Sequence, residues 1–231
     1  MLELVNVCNC EGCSFRSMVF NNLTKQDMNS LCQGKTEKVF AKGDVVIKEG
    51  DEIKDFFYLK NGLIKLYKKI SPERYQIISI AKPFDFIGLL TIFSDTHYHY
   101  SVVAIEPSTI CMVDLNFIKK TIKENGSFAL ELLDKISKTS DHIIKLKLDI
   151  NKKHLRGRIA YILLYFADNI YNSNVFDLPI SRREIAELID MTAENVIRIL
   201  SEFRKDKLLS INGKTIEILN PEMMKKICIV G

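Results

Sequence analysis

The segment between residues 181 and 209 constrains the fold more than any other part of the chain. Ser181 with Glu184 forms a capping-box pattern at the start of one predicted helix, and Thr192 can cap a second helix. Apolar residues recur at helical spacing in both segments: Ile185, Ala186 and Leu188 in the first, and Val196, Ile199, Leu200 and Phe203 in the second. The pattern predicts two short helices around a tight turn, each with one buried face.

A hairpin pattern follows the two helices. Residues 208–211 and 215–218 have strand composition, and Asn212-Gly213 between them favours a two-residue turn. Two helices followed by such a hairpin are typical of a winged helix-turn-helix, which places its second helix in the major groove of DNA. Helix pairs of the same periodicity occur in proteins that do not contact DNA, and that alternative stays open at this point.

The outward face of the second predicted helix carries side chains suited to base recognition. The guanidinium of Arg198 suits guanine, and the carboxylate of Glu194 suits cytosine. Residues 181–209 contain six Lys or Arg and six Asp or Glu, so net charge does not support this prediction. The predicted DNA-binding residues are Ser181, Arg182, Arg183, Thr192, Ala193, Glu194, Asn195 and Arg198.

Basic residues cluster just before the helix pair, with Asp149 the one acidic residue among them. We predict that this cluster contacts DNA phosphates, although a solvated helix face gives the same pattern. Its members are Lys145, Lys147, Lys152, Lys153, Arg156 and Arg158.

The N-terminal half has the pattern of a β-roll, or jelly roll. Short strand-like segments alternate with glycine turns at residues 42–44, 49–51 and 61–62, and the series continues to about residue 113. With the C-terminal helices, this predicts an α+β chain. A roll that binds no ligand is an open alternative.

A long helix is predicted between the two parts, beginning at Ser127 after Asn125-Gly126. Its apolar residues keep a seven-residue rhythm that is typical of a coiled coil. An exposed seam of this kind favours a homodimer, and two-fold symmetry then predicts inverted-repeat DNA half-sites about 34 Å apart. The alternative is that the helix packs on its own roll. The predicted seam is Ala129, Leu132, Ile136, Thr139, Ile143, Leu146 and Ile150.

These features together resemble the CRP/FNR superfamily of bacterial transcription regulators over nearly the whole chain. Glu194 and Arg198 match the base-reading pair of that family, and the roll matches its KG turn, EGD turn and later G-x-IKLY strand. Ile197 departs from the Ser or Gly that the family often has, which affects the expected target sequence.

The resemblance implies a regulator rather than an enzyme, one that binds double-stranded promoter DNA as a homodimer and acts on RNA polymerase. It divides the chain into a cysteine-containing tail (1–20), an effector-sensing roll (21–126), a dimerisation helix (127–153) and a winged helix (154–231).

Cyclic AMP is not the expected effector. In family members that bind it, a Glu follows the glycine of the FIG segment, and an Arg-Ser pair lies on the next strand. Here Leu89 stands at the first position, and residues 97–101 contain no arginine. A phosphate would therefore lack its guanidinium partner.

Cysteine placement suggests a different input. Cys8, Cys10 and Cys13 lie close together near the N-terminus, and Cys111 lies in a predicted strand. This resembles the oxygen sensor of the family, which implies a 4Fe–4S cluster on four thiolates. One and two residues separate the N-terminal cysteines here, whereas the sensor has two and five. A zinc site, redox-active thiols and ordinary cysteines remain alternatives, and Cys32 and Cys228 are expected in the core.

The chain has no apolar run of membrane-span length and no pattern of a signal peptide, so we expect a cytoplasmic protein without a membrane partner. An alternative function is a cupin-like metalloenzyme that uses His97, His99 and Glu106. That alternative does not account for Glu194, Arg198 and the wing.

Overall fold

The computed structural model describes residues 4–5, 23–72 and 74–230. They form two compact units. The first contains the described residues up to Lys68 together with Ile78–His142, and the second contains Lys69–Ile77 together with the described residues from Ile143 onward. No helix within the described ranges is long and apolar enough to cross a bilayer.

Two antiparallel sheets form the roll. One has the strand order β1-β2-β9-β4-β7 and the other β3-β8-β5-β6. The strands are β1 (Leu4–Val5), β2 (Lys35–Phe40), β3 (Val45–Ile47), β4 (Asp55–Asn61), β5 (Ile64–Ser71), β6 (Arg74–Ala81), β7 (Phe86–Ile87), β8 (Ser101–Ala104) and β9 (Ser108–Asp114). Helix α1 (Lys25–Gly34) precedes β2, and α2 (Leu115–Glu124) follows β9.

The inside of the roll is an aromatic and aliphatic core. Phe56, Tyr58 and Phe86 are buried there, and the rings of Phe56 and Phe86 lie 4.8 Å apart. The glycine turn at Gly62 has a φ of +91°, and a Cβ at that position would come within 2.4 Å of the Pro107 carbonyl oxygen. Only glycine fits this turn without displacement of the backbone.

The long helix α3 (Gly126–Asn151) begins one residue before the predicted start. Much of its predicted seam is covered by the chain itself: Leu132 is in the core of the roll, and Leu146 and Ile150 are buried. The exposed leucines and isoleucine of α3 are different residues, namely Leu130, Leu133, Ile144 and Leu148. Three of the seven predicted seam residues are therefore buried within the chain itself, whereas Ala129, Ile136, Thr139 and Ile143 are half-buried.

The second unit contains a three-stranded sheet and four helices besides the end of α3. These are α4 (Leu155–Tyr165), which continues into a π-helical turn (Phe166–Tyr171), α5 (Arg182–Ile189), α6 (Ala193–Lys205) and α7 (Pro221–Val230). The sheet has the order β10-β12-β11, with β10 (Val175–Asp177), β11 (Leu209–Asn212) and β12 (Thr215–Ile218).

The wing turn lies one residue later than predicted. Asn212 pairs with Thr215, so Gly213 and Lys214 form the turn, and Gly213 has a φ of +61°. Strand β10, which the sequence did not reveal, pairs with β12 and completes the sheet. The α+β architecture of roll, long helix and winged helix-turn-helix is confirmed.

Candidate nucleic-acid interface

The turn between α5 and α6 is fixed by hydrogen bonds at both helix ends. Ser181 Oγ accepts from the Glu184 backbone N–H at 3.2 Å, and Glu184 Oε2 accepts from the Ser181 N–H at 2.7 Å. Asp190 ends α5 in the left-handed region with a φ of +54°, and Thr192 Oγ1 accepts from the Asn195 N–H at 3.3 Å. The two predicted caps are thus both formed, and they set the direction in which α6 leaves the turn.

The four buried side chains of α6 fall on one face: Val196, Ile199, Leu200 and Phe203. Glu194, Ile197 and Arg198 lie on the opposite, exposed face, while Asn195 is half-buried. The pKa of Glu194 is lowered because its carboxylate accepts hydrogen bonds from its own backbone N–H and from Thr192. A carboxylate that is ionised at neutral pH can accept from the amino group of a cytosine.

The basic residues at the start of α5 have separate partners. Arg182 Nη2 donates to the Gly213 carbonyl at 2.9 Å, which joins the helix to the wing turn. Arg183 Nε lies 3.3 Å from Glu187 Oε1 on the same helix. The structure thus brings Arg182 and the wing together beside the helix pair.

A charged network that the sequence prediction missed lies at the exposed end of α6. Arg198 Nη1 donates to Glu202 Oε1, and Arg198 Nη2 donates to Asn195 Oδ1 at 3.3 Å. Arg156 donates to Glu202 Oε2 at 2.7 Å and to Asp206 Oδ2 at 2.8 Å. The four-residue spacing of Arg198 and Glu202 is a local signal that could have indicated their pairing. The long-range bonds of Arg156 have no such signal.

The basic cluster before the helix pair is largely used for internal contacts. Lys147 Nζ donates to the Ile77 and Leu188 carbonyls, and Lys153 Nζ donates to the Cys228 carbonyl at 2.6 Å. Arg158 donates to the Ile189 and Asp190 carbonyls at the end of α5, where a cation is favourable. Arg156 also donates to a side chain of the protein, Glu202. Of the six residues predicted to contact phosphates, Lys145 and Lys152 are therefore the two exposed ones to which the prediction now applies.

The end of the β5–β6 hairpin belongs to the second unit and lies beside the helix pair. Arg74 Nη2 donates to Asp190 Oδ1 at 3.0 Å across the exposed surface. A cavity of about 750 Å³ is lined by the hairpin end and by the start of α6, including Glu194 and Asn195. The exposed ion pair between Arg74 and Asp190 contributes little stability.

Inside the roll, tyrosines occupy the segment (residues 97–101) that the family resemblance compares with the phosphate-binding Arg-Ser pair. Tyr98 and Tyr100 are buried, whereas His97 and His99, the residues that precede them, are exposed. Burial raises the pKa of both phenols, and Leu89 is also buried. At the positions that the family resemblance compares with a phosphate cradle, the roll thus carries one aliphatic and two phenolic side chains, all of them buried.

Of the four predicted cluster ligands, Cys111 lies within the described residues, whereas Cys8, Cys10 and Cys13 lie outside them. Cys111 is fully buried, and its Sγ lies 3.6 Å from Glu37 Oε1. The Glu37 carboxylate also lies within 3.3 Å of the ammonium groups of Lys35 and Lys60. A buried thiol beside paired charges is compatible with a ligand role and equally with a structural role.

The side chains of the alternative metal site have other contacts. His99 Nε2 lies 2.9 Å from Asp95 Oδ2, and His97 Nδ1 lies 2.9 Å from Thr96 Oγ1. Among the side chains that the structure describes, no three His, Cys, Asp or Glu residues are grouped so that they could hold a metal ion. His97, His99 and Glu106 therefore do not form the cupin-like centre.

Comparison with known proteins agrees with this architecture. The model for the cyclic nucleotide-binding domain matches residues 37–125, and the model for the Crp-like helix-turn-helix domain matches residues 157–227. The chain is similar to the transcriptional activator protein Anr of Pseudomonas protegens, with 23% identity over 95% of this chain and 92% of the relative. It is also 25% identical to the fumarate and nitrate reduction regulatory protein of Vibrio cholerae, over 92% of this chain and 87% of that one.

Solved structures show the same fold. FixK2 from Bradyrhizobium japonicum superimposes with a TM-score of 0.75 at 23% identity, covering 84% of this chain and 96% of that one. A CRP-family transcriptional regulator from Thermus thermophilus gives 0.73 at 17% identity, with 84% and 97% coverage. The two domain models, the relatives along nearly the whole chain and the capped helix pair lead to one conclusion: the chain belongs to the CRP/FNR family of DNA-binding transcription regulators.

Proposed function

We propose that the protein binds an inverted-repeat promoter site as a homodimer, under the control of a signal that its roll receives. The observation that carries this proposal is the exposed side of α6, where Glu194 and Arg198 lie outside a helix that is capped and packed on its other side. In this proposal α6 is the recognition helix. Arg198 donates to a guanine and Glu194 accepts from a cytosine, while Asn195 supports the arginine.

The remaining predicted residues position the module on the backbone. Exposed Ser181, Arg183 and Thr192 lie at the starts of the two helices, where partial positive charge and N–H groups favour phosphates. Arg182 holds the wing turn, and Ala193 leaves room for the groove at the first turn of the recognition helix.

The subunit contact is proposed on the exposed apolar residues of α3. Leu130 and Leu133 are 69% and 57% exposed, and Ile144 and Leu148 are 57% and 52% exposed. Large apolar side chains at this exposure on one helix favour association with a second copy. The contact with RNA polymerase, which family membership supports, follows promoter binding.

The signal is proposed to act through thiols rather than through a cyclic nucleotide. Cys111 with Cys8, Cys10 and Cys13 would supply four thiolates for a 4Fe–4S cluster, which when bound would make the protein responsive to oxidants. Val5 pairs with Glu37, and Glu37 pairs with Cys111, so Val5 is two strands, about 10 Å, from Cys111. The three N-terminal cysteines follow Val5 in the sequence, and this strand register supports their assignment with Cys111.

Purification without air tests the sensor. We expect about four iron and four sulfide per chain. Cys111→Ser should lose the iron. Cys228→Ser is the control and should retain it, because the half-buried Cys228 is not one of the four proposed ligands. Zinc at one per chain, or no metal, would contradict the cluster.

Selection of binding sites from random duplexes, followed by titration, tests the DNA proposal. We expect two chains per duplex and half-sites arranged as an inverted repeat about 34 Å apart. A direct repeat of the same half-sites is the control and should bind more weakly. One chain per duplex with no preference for the inverted arrangement would contradict the proposal.

A further inference from the structure

We infer that Glu202 is a positioning residue that fixes the guanidinium of Arg198 for base recognition and thereby contributes to sequence discrimination. This inference rests on the proposed function, in which Arg198 contacts a base. It adds to that function a residue that does not itself touch DNA.

The Arg198 guanidinium is held from both sides along the helix. Glu202, one turn later, accepts from Nη1, and Asn195, one turn earlier, accepts from Nη2 at 3.3 Å. Arg198 is 56% exposed, whereas Glu202 is 33% exposed. Glu202, the more buried of the two, therefore restrains the more exposed side chain of Arg198.

Glu202 is in turn anchored to another helix. Its second oxygen accepts from Arg156 at the start of α4 at 2.7 Å. Arg156 also donates to Asp206 and lies over the ring of Phe203, 4.8 Å from its centroid. The hydrogen bonds to Asp206 and Glu202 raise the pKa of Arg156 above its usual range. A carboxylate whose two oxygens serve two guanidinium groups has little freedom to rotate away from either one.

This arrangement leaves Arg198 able to read a base. A guanidinium has five N–H donors, and the contacts with Glu202 and Asn195 use one on each terminal nitrogen. One donor on each terminal nitrogen remains, which is what a bidentate contact with guanine requires. Because the side chain is already oriented, less conformational freedom is lost when it binds.

The experiment compares two neutralising variants of one network. Glu202→Gln offers one oxygen in place of two and loses one of the paired guanidinium contacts. Asp206→Asn is the matched control, because it removes the same charge from the same Arg156 without touching Arg198. The measured quantity is the ratio of affinities for the selected duplex and for the same duplex altered at the base that Arg198 reads. This ratio cancels the general gain in DNA affinity that either loss of negative charge causes.

We expect Glu202→Gln to lower the ratio by about 3- to 10-fold, the range for one side chain that must be immobilised. Asp206→Asn should leave the ratio unchanged, and Glu202→Asp, which keeps the charge but shortens the side chain, should lower it. Thermal unfolding checks that all three variants are folded.

An unchanged ratio in Glu202→Gln, or an equal fall in Asp206→Asn, would overturn the positioning role. If Arg198→Ala itself leaves the ratio unchanged, the proposed function fails instead, and the two failures are thereby distinguished.

Discussion

The outer face of α6 and the inside of the roll differ in the side chains that they carry where the family resemblance places ligand contacts. On the surface of α6, the side chains of Arg198, Glu202 and Asn195 are linked to one another by hydrogen bonds. In the roll, the segment that resembles a phosphate-binding strand presents Tyr98 and Tyr100 to the core instead of a cation. The helix carries exposed polar groups at the positions where the family resemblance places base contacts, whereas the roll has buried tyrosines in the segment that the resemblance compares with a phosphate cradle. Fold similarity thus predicts function only where the contacting residues are also retained.

The largest expected effect concerns the packing beneath the recognition helix. Phe203→Ala removes a fully buried ring that also packs under the Arg156 guanidinium. The free energy of unfolding should fall by about 3–5 kcal/mol, as measured by urea denaturation. Arg204→Ala, an exposed change on the next residue, is the control and should cost less than about 0.5 kcal/mol. Similar costs for the two variants would contradict the proposed packing.

The two faces of α3 should respond differently to substitution. Leu132→Ala should cost about 2–5 kcal/mol of unfolding free energy because Leu132 is 2% exposed within its own roll. Leu133→Lys, at a residue that is 57% exposed, should leave the fold intact and shift the protein from dimer to monomer in sedimentation velocity. A dimeric Leu133→Lys variant would show that the subunits meet elsewhere.

A smaller effect is expected at Asp85 in the roll. Burial raises the pKa of this carboxyl, although its hydrogen bond from the Lys82 N–H opposes the shift. A raised pKa means that the folded state holds the proton more tightly, so the Asp85 contribution to stability falls as pH rises from about 4 through the raised pKa.

Asp85→Asn keeps an acceptor but cannot ionise. Its unfolding free energy, minus that of the parent, should therefore increase from pH 4 to neutral pH. A difference that is constant across this range would contradict the assignment.

The smallest expected effect is that of cyclic AMP. We expect no shift in melting temperature and no change in DNA affinity when cyclic AMP is added, since Leu89, Tyr98 and Tyr100 are packed in the roll. A saturable stabilisation would show that the phosphate is bound by other groups.

The winged helix-turn-helix was predictable because its signals are local. The caps at Ser181 and Thr192 and the apolar face of α6 each depend on residues within one turn. Helix α2 was not predicted although its signals are equally local: Asp114 caps it, and Leu115, Ile118 and Thr121 form its buried face.

Long-range pairing was not predictable in the same way. A heptad pattern shows that a helix face is covered but not by which chain, so Leu132 was assigned to a partner. The strand β10 and the Arg156 contacts depend on residues 38 to 50 positions apart, which no local pattern reveals. The Asn-Gly signal located the wing but placed its turn one residue early.

The central claim is that the exposed face of α6 reads DNA bases, and the most direct test is the affinity of Arg198→Ala for the selected inverted repeat and for random DNA. We expect a loss of about 1–3 kcal/mol on the selected site and little change on random DNA, as measured by fluorescence anisotropy. Lys225→Ala, which removes an exposed cation of α7, is the control and should leave discrimination intact. An equal loss for Arg198→Ala on both duplexes would contradict base recognition by this helix.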